Sequence, residues 1–316
     1  MRILIMGSFQ YTSHFRCMLT LCEALANKGN NIFVLAPSLP ANLQKEAREK
    51  FSLVSINDTP ELSKIDLVHF HLWDENTSFL EHCKQNSISY MVSLYFLPRP
   101  PQAQKIMSLL FNAAAVTTPN HQIFQQLKRN LPEILLIPEG IDLENPEYST
   151  TNKIKIAYIA NEVSYSHAAY KAVVKAVTSS GLTLETLNFE KPLSTYENFY
   201  GWPLKINEIL NSTDIIIASG MALIEGMACY NAALIMDTQY RGIFDPKNFP
   251  ANHIYNKPKK TGKSPCYKDV FYDISALAKN KPRRTYLQEQ GYDYARKNHD
   301  LKKILPAILR IYHSIV

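Results

Sequence analysis

The chain has 316 residues, of which 46% are hydrophobic and 20% charged, a balance that excludes a disordered protein and predicts two domains of roughly 150 residues each. Its 34 Lys and Arg against 28 Asp and Glu give a formal charge of +6, spread along the chain, so an anionic partner is permitted but not required. The five cysteines are widely separated and form no Cys-x-x-Cys pair, which favours neither disulfides nor a zinc site and indicates a reducing compartment.

The apolar runs of the chain are short. The opening run MRILIM is too short for the core of a signal peptide, and no segment reaches the ~18 uninterrupted apolar residues of a membrane-spanning helix. A helix over residues 102–114 is the best candidate for a peripheral contact with the inner face of a membrane, although a helix packed on a sheet is the favoured interpretation. The sequence therefore predicts a cytoplasmic protein with at most a peripheral membrane contact.

Short strands alternate with helical stretches through the first half. Strands are predicted at residues 2–6, 31–36, 52–56, 66–71, 90–96 and 114–118. Between the first two, Ser13 to Lys28 carries apolar residues near helical spacing, and Gly29 provides a helix stop. Strands that are apolar throughout are typical of a parallel sheet covered on both faces.

A polar stretch near residues 143–153, with Pro146, interrupts the alternation and has the composition of a linker. A second series follows, with strands at 154–160, 183–189, 214–220 and 232–237, helices at 166–179 and 221–230, and two helical patterns after Thr285. The chain is thus predicted to be an α/β protein with two Rossmann-like, doubly wound domains. The first is predicted at residues 1–148, joined by a C-terminal helix at 300–316, and the second at 149–299.

The segment at residues 213–249 carries the most informative motif. An Asp-led apolar strand, a small-residue turn and then Ile224, Glu225, Gly226, Met227, Ala228 and Cys229 precede a second apolar strand. This segment resembles the donor site of family 4 retaining glycosyltransferases. The resemblance implies a GT-B fold, with two domains facing a cleft, and transfer of a sugar from a nucleotide-sugar donor with retention. It implies an acceptor-binding first domain, a donor-binding second domain and no obligatory metal or cofactor.

Weaker matches to the same family follow in the expected order. They are the opening MRILIMGS with its helix, the strand IDLVHFHLW, the Pro-x-Gly-hydrophobic-Asp turn from Pro138 to Asp142, and the terminal ARKNHDLKKILPAILRIY. Together they extend the resemblance over nearly the whole chain.

The donor-binding candidates lie at the start of the helix that contains Glu225. In the resembled family the matching glutamate binds the ribose hydroxyls of the donor, and a carboxylate can accept two such hydrogen bonds. The alternative is that Glu225 complements the helix dipole. The strand-to-helix turn of Ser219, Gly220 and Met221 offers backbone N–H groups to a diphosphate, unless Ser219 only caps the helix.

Three histidines and a tyrosine are the candidates in the first domain. His69 and His71 lie on one face of a predicted strand near its carboxyl end, where open α/β sheets present ligands. The catalytic candidates are His71, which we expect to contact the acceptor or the transferred sugar, and His14, which lies in the first strand-to-helix loop and is expected to face the same site. His69 and Tyr95 are predicted to bind the acceptor, a glycan, a lipid-linked sugar or another molecule. His-x-His alone is weak evidence for a metal, and none is predicted.

The sequence departs from the family at its diphosphate clamp. The positions of the cations fall on Asn161, Ala168 and Met221. Asn161 and Lys171 are nonetheless candidates for donor binding, and His167, Lys171 or Arg241 are the predicted replacement cations.

Other classes of function stay open. One is a catalytically degenerate subunit that binds a nucleotide, sugar or partner enzyme, and another is an epimerase or an oxidoreductase. Because Gly7 stands alone after the first strand, no dinucleotide-binding fingerprint is present. No basic-aromatic motif supports a nucleic acid partner.

Overall fold

The structure, a computed structural model, describes residues 1–7, 13–36, 39–51, 54–56, 60–72, 77–143, 153–160, 166–188, 198–247 and 263–316. The chain divides into two compact units. The first unit consists of Met1–Gln10, His14–Asp142 and Leu301–Val316, and the second of Tyr11–Ser13 with Leu143–Asp300. The predicted boundary at residue 148 lies outside the described residues, as does Pro146.

The first unit contains a parallel sheet of seven strands. Its helices are α1 (Ser13–Ala26), α2 (Ala41–Lys50), α3 (Ser78–Gln85), α4 (Ala103–Phe111), α5 (His121–Leu127) and α11 (Leu301–Ile315). Its strands are β1 (Arg2–Gly7), β2 (Asn31–Leu35), β3 (Val54–Ile56), β4 (Leu67–Leu72), β5 (Tyr90–Leu94), β6 (Ala115–Thr118) and β7 (Leu135–Leu136). The order across the sheet is β3-β2-β1-β4-β5-β6-β7.

The second unit contains a separate sheet of six strands. Its strands are β8 (Lys155–Ala160), β9 (Thr183–Asn188), β10 (Asn198–Phe199), β11 (Ile215–Ala218), β12 (Ala232–Met236) and β13 (Tyr240–Ile243). Its helices are α6 (His167–Ser179), α7 (Asn207–Leu210), α8 (Gly220–Ala228), α9 (Tyr267–Lys279) and α10 (Lys281–Asn298). The order is β10-β9-β8-β11-β12-β13, with β13 antiparallel to β12.

Both strand orders are those of a doubly wound sheet, so the predicted fold class is confirmed. The direction of winding reverses between β1 and β4 in the first sheet and between β8 and β11 in the second. In such sheets ligands bind beyond the carboxyl ends of the strands, at the point of reversal. Ligands are therefore expected at these two edges.

Helix α8 packs unusually close to its sheet. A Cβ atom added at Gly226 would lie 2.2 Å from Cδ1 and 2.9 Å from Cβ of Ile216 on β11, so only glycine fits without moving the helix. On another side, a Cβ at Gly291 of α10 would lie 3.1 Å from Cγ of Met227. The position of α8 is thus fixed by the sheet and by α10.

The C-terminal helix α11 belongs to the first unit although the chain reaches it after the second. The backbone N–H of Leu301 donates to the carbonyl of Ile141, and a Cβ at Gly140 would lie 2.7 Å from Cδ1 of Leu301. The buried face of α11 comprises Leu301, Ile304, Leu305, Ile308 and Tyr312. The terminal segment therefore completes the core of the first unit.

The helix considered for a membrane contact is α4. Its apolar residues Ile106, Leu109 and Leu110 are buried in the core of the first unit, whereas Phe111 is exposed. Among the described residues, no helix combines the length and the apolar character needed to cross a bilayer.

Candidate functional site

The turn between β11 and α8 leaves open space beside its glycine. Gly220 begins α8 with φ of +58°, a conformation that favours glycine. No described heavy atom lies within 4 Å of the place a Cβ would take. Ser219 occupies the N-cap position, but its side chain makes no capping hydrogen bond within the described chain. The interpretation of Ser219 as only a helix cap is therefore not supported, and a ligand can approach the N–H groups of the turn closely.

Glu225 lies in the second turn of α8 and is 8% exposed. The first turn of α8 contains no acidic residue, whereas stabilisation of the helix dipole is confined to that turn. Burial, and then the negative charge of Glu225, raise the pKa of the Cys229 thiol to about 12. The position of Glu225 in the second turn therefore weighs against the interpretation that it only complements the helix dipole.

Met221 does not offer its side chain to a ligand. The side chain is fully buried, so only the backbone of this position remains for donor binding. Lys171 and His167 lie on exposed positions of α6. Asn161 lies outside the described residues.

A buried ion pair lies at the same edge of the second sheet. Nη2 of Arg241 is 2.8 Å from Oδ2 of Asp237, and the two side chains are 8% and 6% exposed. Ala218, the last residue of β11, is level with Ile235 of β12, and Asp237 directly follows β12. Arg241 is thus a buried cation at the same edge of the sheet as the turn that starts α8.

His69 is engaged by side chains of its own unit. Its Nδ1 is 2.6 Å from the hydroxyl of Tyr312, and its Nε2 is 2.7 Å from Oγ of Ser93. Burial lowers the pKa of His69 to about 3, so the ring is neutral. Both ring nitrogens are occupied, which gives His69 a structural role in holding α11 and weighs against the predicted contact with an acceptor.

His71 and Tyr95 form a second pair beside the first. Nδ1 of His71 is 2.9 Å from the Tyr95 hydroxyl, and the His69 and His71 ring centroids are 4.3 Å apart. Burial, followed by the nearby His69 and His14, holds the pKa of His71 well below its usual value. Burial and the Glu139 carboxylate, which also hydrogen-bonds the hydroxyl, raise the pKa of Tyr95 well above its usual value. His71 and Tyr95 are therefore neutral at physiological pH.

Glu139 connects this pair to His14. Nδ1 of His14 is 2.6 Å from Oε1 and 2.7 Å from Oε2 of Glu139. The two side chains are 12% and 8% exposed. His14 lies in the first turn of α1, after the carboxyl end of β1, and Glu139 follows β7. The first unit thus brings together His14, His71 and Tyr95, which the sequence predicted, with a carboxylate that it did not.

A cavity of about 480 Å³, counted with its open mouth, lies beside His71, Tyr95 and Glu139. Its lining includes His69, His71, Ser93, Tyr95, Thr117 and Glu139. Oγ of Ser93 is 2.8 Å from Oγ1 of Thr117. The cavity combines hydrogen-bonding side chains with an apolar wall, as small-molecule sites commonly do. Within the described ranges no group of three or more His, Cys, Asp or Glu side chains is arranged to hold a metal ion.

Glu139 was missed because its partner is 125 residues away in the chain. The turn from Pro138 to Asp142 was recognised as a family match, but the residue between Pro138 and Gly140 was not given a role. The available signal was that Glu139 is an acidic residue in a turn near the carboxyl ends of the predicted strands, where ligands bind in such sheets.

No family model matches the sequence, and no curated protein sequence matches it. Solved structures do match it along its whole length. A glycosyltransferase from Rickettsia africae has a TM-score of 0.66 at 14% identity, with 99% of this chain and 98% of that one covered. HepE of Anabaena, in complex with UDP and glucose, has a TM-score of 0.69 at 10% identity, with 99% and 100% covered.

A third similar structure is the sucrose-phosphate synthase of Thermosynechococcus elongatus, with a TM-score of 0.62, 12% identity and 99% of both chains covered. With two parallel sheets in separate units, these likenesses show a fold of the GT-B type. At such low identity they show the fold alone.

Proposed function

We propose that this protein is a glycosyltransferase that moves a sugar from a nucleotide-sugar donor to an acceptor. The observation that carries the proposal is the turn at Ser219 and Gly220, with open space where a Cβ of Gly220 would lie and the buried side chain of Glu225 in the next turn of α8. A diphosphate and a ribose present the anionic and hydroxyl groups that such a turn and carboxylate bind. The fold shared with structures that hold UDP and glucose supports it.

In this proposal the second unit binds the donor. The N–H groups of the turn meet the diphosphate, and Glu225 accepts hydrogen bonds from the ribose hydroxyls. Arg241 supplies the positive charge that the family's missing cations would provide, because it is a buried cation at the same edge of the sheet as the turn. Lys171 and Asn161 stay predictions for this site.

The first unit binds the acceptor in its cavity, with Tyr95 and His71 as the groups that contact a hydroxyl. Four further points stay predictions: that the acceptor is a glycan or is lipid-linked, that no cofactor is needed, that the protein is cytoplasmic, and that it contacts a membrane peripherally. Family 4-like character and retention of the anomeric configuration are likewise what the resemblance implies.

The proposal is tested by titrating the protein calorimetrically with UDP-, GDP-, ADP-, CMP- and dTDP-sugars. Glu225→Gln keeps the shape of the side chain but removes its charge. Hydrogen bonds to a charged group contribute about 1.5–3 kcal/mol, so affinity for the preferred nucleotide should fall about 10- to 150-fold. The matched control is Glu185→Gln, because Glu185 is a buried carboxylate of the same unit on β9, away from the strand end. Equal affinity of wild type and Glu225→Gln would contradict the donor site.

A degenerate subunit that binds a nucleotide or sugar without turnover is the second candidate. It is favoured by Ala168 and Met221 at positions where the family has cations, because loss of one such group costs roughly 10²-fold or more in rate. Release of free sugar from the bound donor separates the two functions. Donor binding with no release in any mixture would support the degenerate subunit.

A further inference from the structure

We propose that the cavity of the first unit binds one uncharged sugar unit, an oxygen of which accepts a hydrogen bond from the Thr117 hydroxyl. This inference rests on the proposed glycosyltransferase activity and names the class of its acceptor: the part of the acceptor that enters the cavity carries hydroxyl groups and no phosphate or carboxylate. It is drawn from a row of buried hydrogen bonds that begins at Tyr312 and ends at the cavity wall.

This buried row consists of Tyr312, His69, Ser93 and Thr117. The hydroxyl of Tyr312, on α11, is 2.6 Å from Nδ1 of His69 on β4. Nε2 of the same ring is 2.7 Å from Oγ of Ser93 on β5. That oxygen is 2.8 Å from Oγ1 of Thr117 on β6. Each of the four residues is at most 7% exposed, so the row is shielded from bulk water.

The buried row has one hydrogen more than it can use internally. Burial lowers the pKa of His69 to about 3, so the ring carries a single N–H hydrogen at physiological pH. Burial also raises the pKa of Tyr312 well above its usual value, so its hydroxyl keeps its hydrogen. With one hydrogen each on Ser93 and Thr117, four hydrogens share three hydrogen bonds. One hydrogen is therefore left over.

The surplus hydrogen lies at the cavity and not in the core. Tyr312 is fully buried, and within the described part of the chain its hydroxyl meets no acceptor other than His69. A hydrogen left there would carry the full penalty of an unsatisfied buried group, so Tyr312 donates to Nδ1 and the ring donates from Nε2 to Ser93. Ser93 then donates to Thr117, because hydrogen bonds that run in one direction strengthen each other. The hydrogen that remains is that of Thr117, which lines the cavity.

The other residues of the lining indicate the chemistry of the ligand. Helices α1 and α11 contribute apolar side chains, namely Cys17, Met18, Leu21, Leu301 and Ile308. The lining includes the Glu139 carboxylate, whereas none of its described residues is a lysine or an arginine. An anionic group would therefore meet like charge with no cation to compensate. A sugar ring, which has an apolar face of C–H groups and several hydroxyl groups, matches this combination.

The direction of the buried row can be tested without any ligand. Wild type with ¹⁵N-labelled histidines is observed by ¹H–¹⁵N NMR, and His69→Gln identifies the signals of His69. We expect the neutral ring of His69 to carry its hydrogen on Nε2 at pH 7. A hydrogen on Nδ1 would place the surplus hydrogen on Tyr312 and would overturn the inference.

The charge of the ligand is tested by saturation-transfer difference NMR. The probes are the methyl glycosides of glucose, galactose and mannose, each compared with the methyl glycoside of the corresponding uronic acid. We expect at least one uncharged glycoside to bind, and its anionic counterpart to bind about tenfold more weakly or worse. Equal affinity for the two would overturn the inference. If nucleotide sugars bind and no glycoside does, this inference fails while the proposed function stands; if neither class binds, the proposed function fails with it.

Variants of β6 test the role of Thr117. Thr117→Val removes the donor at nearly equal shape and should weaken binding of the best glycoside about 2- to 13-fold, whereas Thr117→Ser keeps the hydroxyl and should bind as wild type does. The matched control is Thr118→Val, because Thr118 is fully buried on the opposite face of β6 and accepts a hydrogen bond of 3.2 Å from the N–H of Asn120. This control loses a buried hydrogen bond away from the cavity, so its glycoside affinity should not change. Unchanged affinity of Thr117→Val, or an equal loss in Thr118→Val, would overturn the assignment of Thr117.

Discussion

The contact between Gly226 and Ile216 sets the position of Glu225, and replacing Gly226 by alanine tests it. The added Cβ would lie 2.2 Å from Cδ1, 2.8 Å from Cγ2 and 2.9 Å from Cβ of Ile216. Cδ1 is the end of a flexible side chain and can turn away. Cβ and Cγ2 are tied to the backbone of β11, so α8 must move away from the sheet.

The expected cost combines two opposing effects. Overpacking a well-packed core costs about 1–3 kcal/mol, and the upper end applies where backbone must move. Alanine gains about 1 kcal/mol over glycine inside a helix. We therefore expect Gly226→Ala to lower the free energy of unfolding of the second unit by about 2 kcal/mol. Because Glu225 moves with the helix, nucleotide affinity should fall as well.

Gly291→Ala is the matched control in α10. Its nearest neighbours are Cγ and Sδ of Met227 at 3.1 and 3.3 Å, and a methionine side chain adapts readily. The helix preference of alanine then offsets the tighter contact, and stability should change by less than about 0.5 kcal/mol.

Denaturant unfolding followed by the fluorescence of Trp202 reports on the second unit, because Trp202 is buried there. A Trp73→Phe background removes the chain's other tryptophan. Ile216→Val removes the nearest clashing atom, so Gly226→Ala should cost at least ~0.5 kcal/mol less in that background. Equal costs in the two backgrounds, or equal costs at Gly226 and Gly291, would refute the packing argument.

Three further outcomes follow from the described geometry. Gly220→Ala forces an alanine side chain into a backbone with φ of +58° and should lower the free energy of unfolding by about 1 kcal/mol, measured by denaturant unfolding. It should also lower the affinity for a nucleoside diphosphate, measured by titration. Arg241→Gln should weaken binding of a nucleoside diphosphate more than that of the nucleoside in the same titration, and an equal loss would exclude Arg241 from the diphosphate site. The pKa of His69 falls from 6.5 to about 3 on folding. The contribution of the buried, neutral His69 to the free energy of unfolding is therefore complete above about pH 6.5 and is lost as the pH falls towards 3, because the unfolded chain binds the proton more tightly. His69→Gln should make unfolding less pH-dependent over that range, and an unchanged slope would contradict the shift.

The sequence was sufficient for the fold because local signals agree with the tertiary structure. Apolar runs of four to six residues became the buried strands of both sheets, as at β8 and β11. The short β13 was not predicted, because Tyr240–Ile243 mixes polar and apolar residues and forms a strand only by pairing with β12. Helix α9 was also missed, although Val270, Ile274 and Leu277 already stood at helical spacing.

Some residues of the candidate site could be placed from the sequence and others could not. The placement of Gly220 and Glu225 in a helix that follows a strand was predictable because both belong to one continuous strand–turn–helix segment, whereas their role in donor binding stays a prediction. The roles of Glu139 and Tyr312 were not, because each meets its histidine across more than a hundred residues of chain. A pattern in a single sequence reports neighbours along the chain, whereas these contacts depend on how strands are ordered in the sheet.

The incorporation of α11 into the first unit constrains the order in which the chain can mature during synthesis. Domains generally fold as units while the ribosome elongates the chain, but here Leu301 and Tyr312 are made only after the whole second unit. Until then, His69 lacks the partner of its Nδ1, and Gly140 lacks the side chain that packs on it. The cavity of the first unit is therefore completed last, and a purified chain that ends at residue 300 should have a second unit that is protected from protease and a first unit that is not.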